Sequence, residues 1–287
     1  MKLVAAKVPV STVWTAPDAP RDVDAPAIAA QPDVAAWATS MDTETRLGLH
    51  GRTLTQLLYA EPVLVRSERD GWSEIVAPWQ PSSQDALGYP GWVPSSHLGE
   101  LPGAATAPVA VAVPTAPLFA EPGAGAFAEL SFATVLASVE HADGYTRVAT
   151  PDGGSGWLAD DVLWSGGAGT ADDRLRLGSQ FLGLEYLWGG TSAYGLDCSG
   201  LVHTVNRVLG LRTPRDAHDQ ADTLENIAID EAQPGDLYFF AHPGKPVHHV
   251  GFVSPAGMLH ASETGKRLEN EPITEDRRAT LATAARL

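Results

Sequence analysis

One cysteine, Cys198, stands in the segment Gly195-Leu196-Asp197-Cys198-Ser199-Gly200-Leu201-Val202. Apolar residues follow at Leu201, Val202, Val205, Val208 and Leu209, and Gly210 closes the run. These offsets predict a helix with Asp197 as its N-cap and Cys198 in its first turn. A thiol there faces free backbone N–H groups and the positive end of the helix dipole, which favour the nucleophilic thiolate. The same N–H groups suit a developing oxyanion. A thiol nucleophile also needs a base. The candidate is His249, in Val247-His248-His249-Val250-Gly251-Phe252-Val253. This stretch reads as a strand, Ser254-Pro255-Ala256-Gly257 as a turn, and Met258-Leu259-His260-Ala261-Ser262 as the return strand. Such a hairpin sets His249 nearly opposite His260, close enough for one ring to orient the other.

The elements that must hold this set begin with a helix expected over Asp172–Leu184, with Leu175, Leu177, Phe181 and Leu182 on its apolar stripe. Ahead of it, a weak repeat organises the first 165 residues. Asp70-Gly71-Trp72 is followed by Gly91-Trp92-Val93, and Asp143-Gly144-Tyr145 by Gly156-Trp157-Leu158. Short strands with Gly turns at this spacing predict two small β-barrels. The first copy carries two additions. One is a helical insertion, about 33–58, with Val34, Trp37 and Met41 on one face; the other is a polar loop, 79–90, that presents Tyr89. The expected units are residues 1–104, 105–167 and 171–287.

Composition limits the partners. Asp and Glu outnumber Lys and Arg 35 to 19, for a net charge of -16. Such a surface repels phosphate backbones and anionic membranes, so neither nucleic acid nor membrane is an expected partner. A single cysteine excludes an internal disulfide and a four-cysteine metal site. No cofactor or metal is expected. Without a clear export signal in Met1–Val13, the expected location is the cytoplasm.

The catalytic part, residues 171–287, resembles the NlpC-type family of papain-like bacterial cell-wall peptidases. The resemblance rests on Asp-Cys-Ser-Gly-Leu, Pro-Gly-Asp-Leu at Pro234–Leu237, His-Val-Gly-Phe at His249–Phe252, and His260. It implies an α+β papain-like domain behind two SH3-like barrels, with Cys198 as nucleophile, His249 as base and His260 as orienting residue. With two such barrels in front, the chain is most similar to the recycling γ-D-glutamyl-L-diamino acid endopeptidases. These act on small peptidoglycan peptides with a free N-terminal L-Ala. That similarity assigns the substrate amine to Asp197, and further site roles to Ser199, Asp216, Tyr186 and Trp188. Tyr89 would close one cleft end, with Glu61 as the accompanying acid. From the residues alone, Asp197 and Asp216 also read as helix caps and Ser199 as a helix-start residue. His248 reads as structural or solvent-facing. Rival functions are a D,L-endopeptidase of intact wall and a non-catalytic binder of wall peptides.

Overall fold

The computed structural model describes residues 1–103, 107–263 and 265–287, so the expected boundary at 104/105 lies outside the described residues. The first part comprises β1 (Lys2–Ala6), β2 (Val10–Trp14), α1 (Ala25–Ile28), α2 (Val34–Ser40), α3 (Thr43–Leu47), β3 (Thr53–Leu58), β4 (Pro62–Arg69), β5 (Trp72–Ala77), β6 (Tyr89–Pro94) and β7 (Leu98–Gly99). Its strands form an antiparallel sheet in the order β3-β2-β6-β5-β4-β1-β7. The second part comprises β8 (Ala107–Ala110), β9 (Thr115–Glu121), β10 (Ala124–Ser131), β11 (Val135–Ala142), β12 (Tyr145–Ala149) and β13 (Ser155–Ala159), ordered β10-β9-β13-β12-β11-β8.

Apart from the short β7, the two orders are the same when each strand is counted from the start of its sheet. The repeat in the sequence is therefore a repeat of topology. Its clearest local cause is the Asp-Gly turn. Asp70 and Gly71 join β4 to β5 with φ of 52° and 80°, and Asp143 and Gly144 join β11 to β12 with φ of 51° and 80°. A two-residue hairpin needs this left-handed pair, which Asp-Gly adopts at little cost.

The insertion differs from expectation. Helices α2 and α3 occupy its front half, with Val34, Trp37 and Met41 buried as predicted. Thr53–Leu58, however, is the strand β3 and pairs with β2. Its β-branched Thr53 and Thr55 suit an extended chain, and the pairing partner settles the matter.

The third part is mixed α+β: α4 (Ala171–Ser179), β14 (Thr191–Ser192), β15 (Gly195–Leu196), α5 (Cys198–Val208), α6 (Ala217–Thr223), β16 (Glu225–Ile227), β17 (Leu237–Phe240), β18 (His249–Ser254), β19 (Gly257–Ala261), β20 (Leu268–Glu271), α7 (Glu275–Arg278) and β21 (Leu281–Arg286). The sheet runs β16-β21-β17-β18-β19-β20, all antiparallel, and α5 packs across β18 and β19. Helix α4 stops at Ser179, short of the expected Leu184, so Leu182 is exposed while Leu177 and Phe181 are buried.

Leu201, Val202 and Val205 of α5 are fully buried in an apolar core that also contains Trp14, Trp37, Leu58 and Phe132. Helix α5, which begins at Cys198, thus shares a core with both N-terminal sheets. Phe132 meets Phe181 edge-on at 5.0 Å. Among the described residues no helix is long and apolar enough to cross a membrane.

Candidate active site

Helix α5 starts as expected. The Asp197 Oδ1 accepts the Gly200 N–H at 2.7 Å, which caps the helix and fixes Cys198 in its first turn. The N–H groups of Ser199 and Val250 point at the Cys198 sulfur, and the Tyr186 hydroxyl is hydrogen-bonded to it. The hairpin register pairs Phe252 with Leu259 and Val253 with Met258. Continued one step, it sets His260 across from Gly251, a diagonal away from His249. The two rings meet nearly at right angles, with His249 Nε2 2.8 Å from His260 Nδ1. Gly251 makes this possible, because a Cβ there would stand 2.7–2.8 Å from atoms of Met258 and His260. Cys198, His249, Tyr186 and Trp188 line one cavity of ≈ 500 Å³.

Burial decides the charge state of the pair. It pushes the Cys198 thiol up to about 12, an effect Asp197 reinforces and the two backbone N–H groups and Arg215 only partly offset. The expected helix-start stabilisation of the thiolate is therefore present but outweighed. Burial likewise holds His249 well below the ordinary imidazole range, with His260, Arg277 and His248 adding to the shift. His260 falls to about 3, chiefly through burial and then Arg277. Burial thus disfavours the lone thiolate and the lone imidazolium alike, so the two charges are favoured only as a pair. Tyr186 is raised well above its usual value, mainly by burial, and stays a hydroxyl donor.

The same cavity collects the remaining acids. Arg215 Nη2 donates to Asp197 Oδ2 at 2.6 Å, and Nη1 donates to Asp197 Oδ1 and to Ser199 Oγ, both at 3.0 Å. The Tyr89 hydroxyl donates to Asp216 Oδ2 at 2.9 Å. Tyr89 opens β6 and is buried, so it is a wall of the cavity where a loop tip was expected. Burial raises Asp216 against the opposing pull of Arg215 and of the Tyr89 bond; nearby Asp197 adds to the rise. Two carboxylates thus face one guanidinium, leaving a net negative charge beside Cys198. Trp188 is 39% exposed and packs against His50, with ring centroids 4.1 Å apart and the planes tilted by 36°. Val247, His248 and Arg277 stand on the rim, so His248 is exposed, as expected, but borders the cavity.

Glu61 is not part of this cavity. It is fully buried, and its carboxylate accepts from Arg207 Nη1 at 2.7 Å, Gln80 Nε2 at 2.9 Å and the Leu58 N–H at 3.1 Å. Fully buried and already accepting three hydrogen bonds, this carboxylate is not presented to a ligand. Its place is structural: Gln80 Oε1 in turn accepts from Thr55 Oγ1, which accepts from Arg215 Nε. Arg207, Glu61, Gln80, Thr55, Arg215 and Asp197 form one buried polar chain between α5, the first sheet and the site.

Sequence reasoning missed Arg215, whose Pro-Arg-Asp setting was the available signal, and His50, for which no signal existed. Gln220 of α6 donates to the carbonyls of Ser199 and Pro214. Among the described residues, one trio of two carboxylates and an imidazole has ligand atoms within 4.8 Å: Asp216, His218 and Asp219. Asp216 is engaged by Tyr89, and Asp219 Oδ2 accepts the Ser83 N–H at 2.9 Å.

Residues 183–286 match the NlpC/P60 family, and residues 111–162 match the YKFC SH3b2 domain. The chain is 39% identical to the gamma-D-glutamyl-L-lysine dipeptidyl-peptidase of Bacillus subtilis, over 93% of this chain and 92% of that one. It is 33% identical to the protein of the same name from Bacillus cereus, over 93% and 85%. A crystal structure of an NlpC/P60 family protein from Bacillus cereus superposes with a TM-score of 0.91 at 31% identity, covering 99% of both chains. With likeness of this extent in sequence and fold, and with a buried cysteine at the start of its central helix, the chain belongs to the NlpC/P60 family of cysteine peptidases.

Proposed function

We propose that this enzyme is a cysteine endopeptidase that hydrolyses the γ-D-glutamyl–diamino acid bond of peptidoglycan stem peptides carrying a free N-terminal L-Ala. The bond is that named for the Bacillus relatives. The free amine is supported chiefly by one observation: Tyr89 and Asp216, hydrogen-bonded together, line the cavity where two carboxylates face a single guanidinium. An ammonium group completes that charge balance, whereas the amide of an intact glycan strand brings no charge and more bulk.

The chemistry follows from the atoms at hand. His249 accepts the Cys198 proton through Nδ1 as the sulfur attacks the γ-carbonyl of D-Glu, so thiolate and imidazolium exist only as a pair. Backbone N–H groups at the start of α5 and the Tyr186 hydroxyl stabilise the oxyanion. The tetrahedral intermediate expels the amine of the diamino acid, which takes its proton from His249. Water, deprotonated by the same nitrogen, then hydrolyses the thioester and releases L-Ala-γ-D-Glu. Asp197, locked to Arg215, orients Ser199 and the amine end, and Trp188 forms an aromatic wall.

The arrangement assigned to the chain is two SH3-like units, 1–104 and 105–167, before a catalytic unit, 171–287. The first sheet's SH3-like character is supported by its strand order, shared with the second sheet. The substrates are small released peptides, handled in the cytoplasm. Cys198→Ala should lower turnover of L-Ala-γ-D-Glu-L-Lys by at least about 10⁴-fold, since the residual rate rests on binding and the oxyanion donors alone. Product formation followed by mass spectrometry tests this; turnover near the wild-type rate would refute the nucleophile.

A further inference from the structure

Strand β20 brings one more acid to the histidine pair. Glu271 Oε1 lies 3.1 Å from His260 Nε2, on the opposite side of the ring from the 2.8 Å bond to His249. His260 is fully buried, so both of its ring nitrogens are committed to protein partners. The register explains how the acid arrives. His260 pairs with Glu269, and Glu271 stands two residues along β20, on the same face. Arg277 Nε lies 3.7 Å from the same Glu271 oxygen, while its Nη2 donates to Ser262 Oγ at 2.7 Å. Glu271 is thus anchored at the outer end of the histidine pair.

Each of these hydrogen bonds contains one proton, and its position is constrained. A carboxylate only accepts, so His260 Nε2 must carry a hydrogen. A neutral imidazole has a single N–H, so His260 Nδ1 is an acceptor. His249 Nε2 must then donate to it. His249 Nδ1 is left with its lone pair, the form that can take a proton from the thiol. If the carboxylate is removed, the opposite assignment becomes available: His260 donates through Nδ1, His249 accepts at Nε2, and His249 Nδ1 holds a hydrogen. In that tautomer His249 cannot act as a base toward Cys198.

We propose that Glu271 is a positioning residue, the fourth member of a Cys198–His249–His260–Glu271 series, which sets the tautomers of both histidines so that His249 Nδ1 is unprotonated. The proposal rests on His249 being the base, but its signature is readable without substrate or turnover.

The test is ¹⁵N imidazole NMR of the full-length, substrate-free protein at neutral pH, combined with steady-state kinetics. In the wild type, His249 and His260 should both show protonated Nε2 and unprotonated Nδ1. In Glu271→Met, both should move toward the Nδ1–H form, with kcat reduced by at least about ten-fold and KM changed by less than about two-fold. Glu271→Gln, whose amide oxygen still accepts, should keep the tautomers and most of kcat. Glu271→Asp is one methylene too short to reach Nε2 and should behave like Glu271→Met, which covers the case where the latter does not fold. Unchanged tautomers and kcat in Glu271→Met or Glu271→Asp would overturn the proposal, as would a wild-type His260 protonated at Nδ1. Loss of the nucleophile assignment, by contrast, would show as turnover by Cys198→Ala with these spectra unaffected.

Discussion

Four histidines are buried, His97, His203, His249 and His260, and they give the molecule an acid limit. His203, His249 and His260 are held neutral, first by burial, with His203 and His260 lowered to about 3 and His249 well below its usual value of 6.5. As pH falls below 6.5, the unfolded chain binds protons that the folded chain refuses. The unfolded state then carries more protons, so stability rises with pH between about 3 and 6.5 and is lost as pH drops through that window. Within that window His203 and His260 each contribute about 1.4 kcal/mol per pH unit, and His249 acts in the same direction. Urea unfolding at pH 5 and pH 7 should show a lower midpoint at pH 5, and His203→Gln should reduce the difference. Equal midpoints would contradict neutral burial. At this scale Cys198, His249 and His260 were legible, because one helix start and one hairpin carry them all. Arg215 was not, because Thr55, which holds its guanidinium on the far side, is 160 residues away in sequence. Glu61 was misassigned because composition cannot show that Arg207 had already neutralised it. Glu271 drew no attention, since it belongs to a neighbouring strand and to no motif.

Secondary structure places those residues with little slack. The cap on α5 fixes the thiol, and the β18–β19 hairpin fixes the histidines against it. Gly251→Ala probes the second of these directly. The added Cβ would meet Met258 and the Cβ of His260 at 2.7–2.8 Å, so one of them must shift. Core overpacking of this kind costs about 1–3 kcal/mol, and displacement of His260 should lower kcat by at least about ten-fold while the protein remains folded. Circular dichroism together with kcat checks both; a folded variant with wild-type kcat would show that the hairpin tolerates the methyl. The hairpin, α5 and the Asp-Gly turns were readable from local pattern. The extent of the helical insertion was not. Thr53 and Thr55 hint at a strand in Thr53–Leu58, but what settles it is pairing with β2, about 40 residues earlier, which the segment itself does not show. The 79–90 loop was recognised as distinctive, but its use was not: Gln80, Pro81 and Ser83 bind Thr55, Arg215 and Asp219, so it ties the first sheet to the catalytic part.

The whole molecule acts through that tie. The site takes Tyr89 from the first sheet and Asp216 from the segment before α6, and neither alone provides both the hydroxyl and the charge. The overall plan of repeated sheets before an α+β part could be read from repeats and motifs. The shared core and the polar chain from Arg207 to Asp197 could not, because every link joins segments far apart in sequence. The most direct measurement compares L-Ala-γ-D-Glu-L-diamino acid peptides bearing free and acetylated N-termini, with mass spectrometry of the products and kcat/KM for each. The free peptide should yield L-Ala-γ-D-Glu, with kcat/KM at least about ten-fold above that of the acetylated form, about 1.4 kcal/mol of discrimination. Asp216→Asn should narrow that gap by raising KM for the free peptide alone. Equal kcat/KM for the two peptides, or cleavage at another bond, would contradict the account.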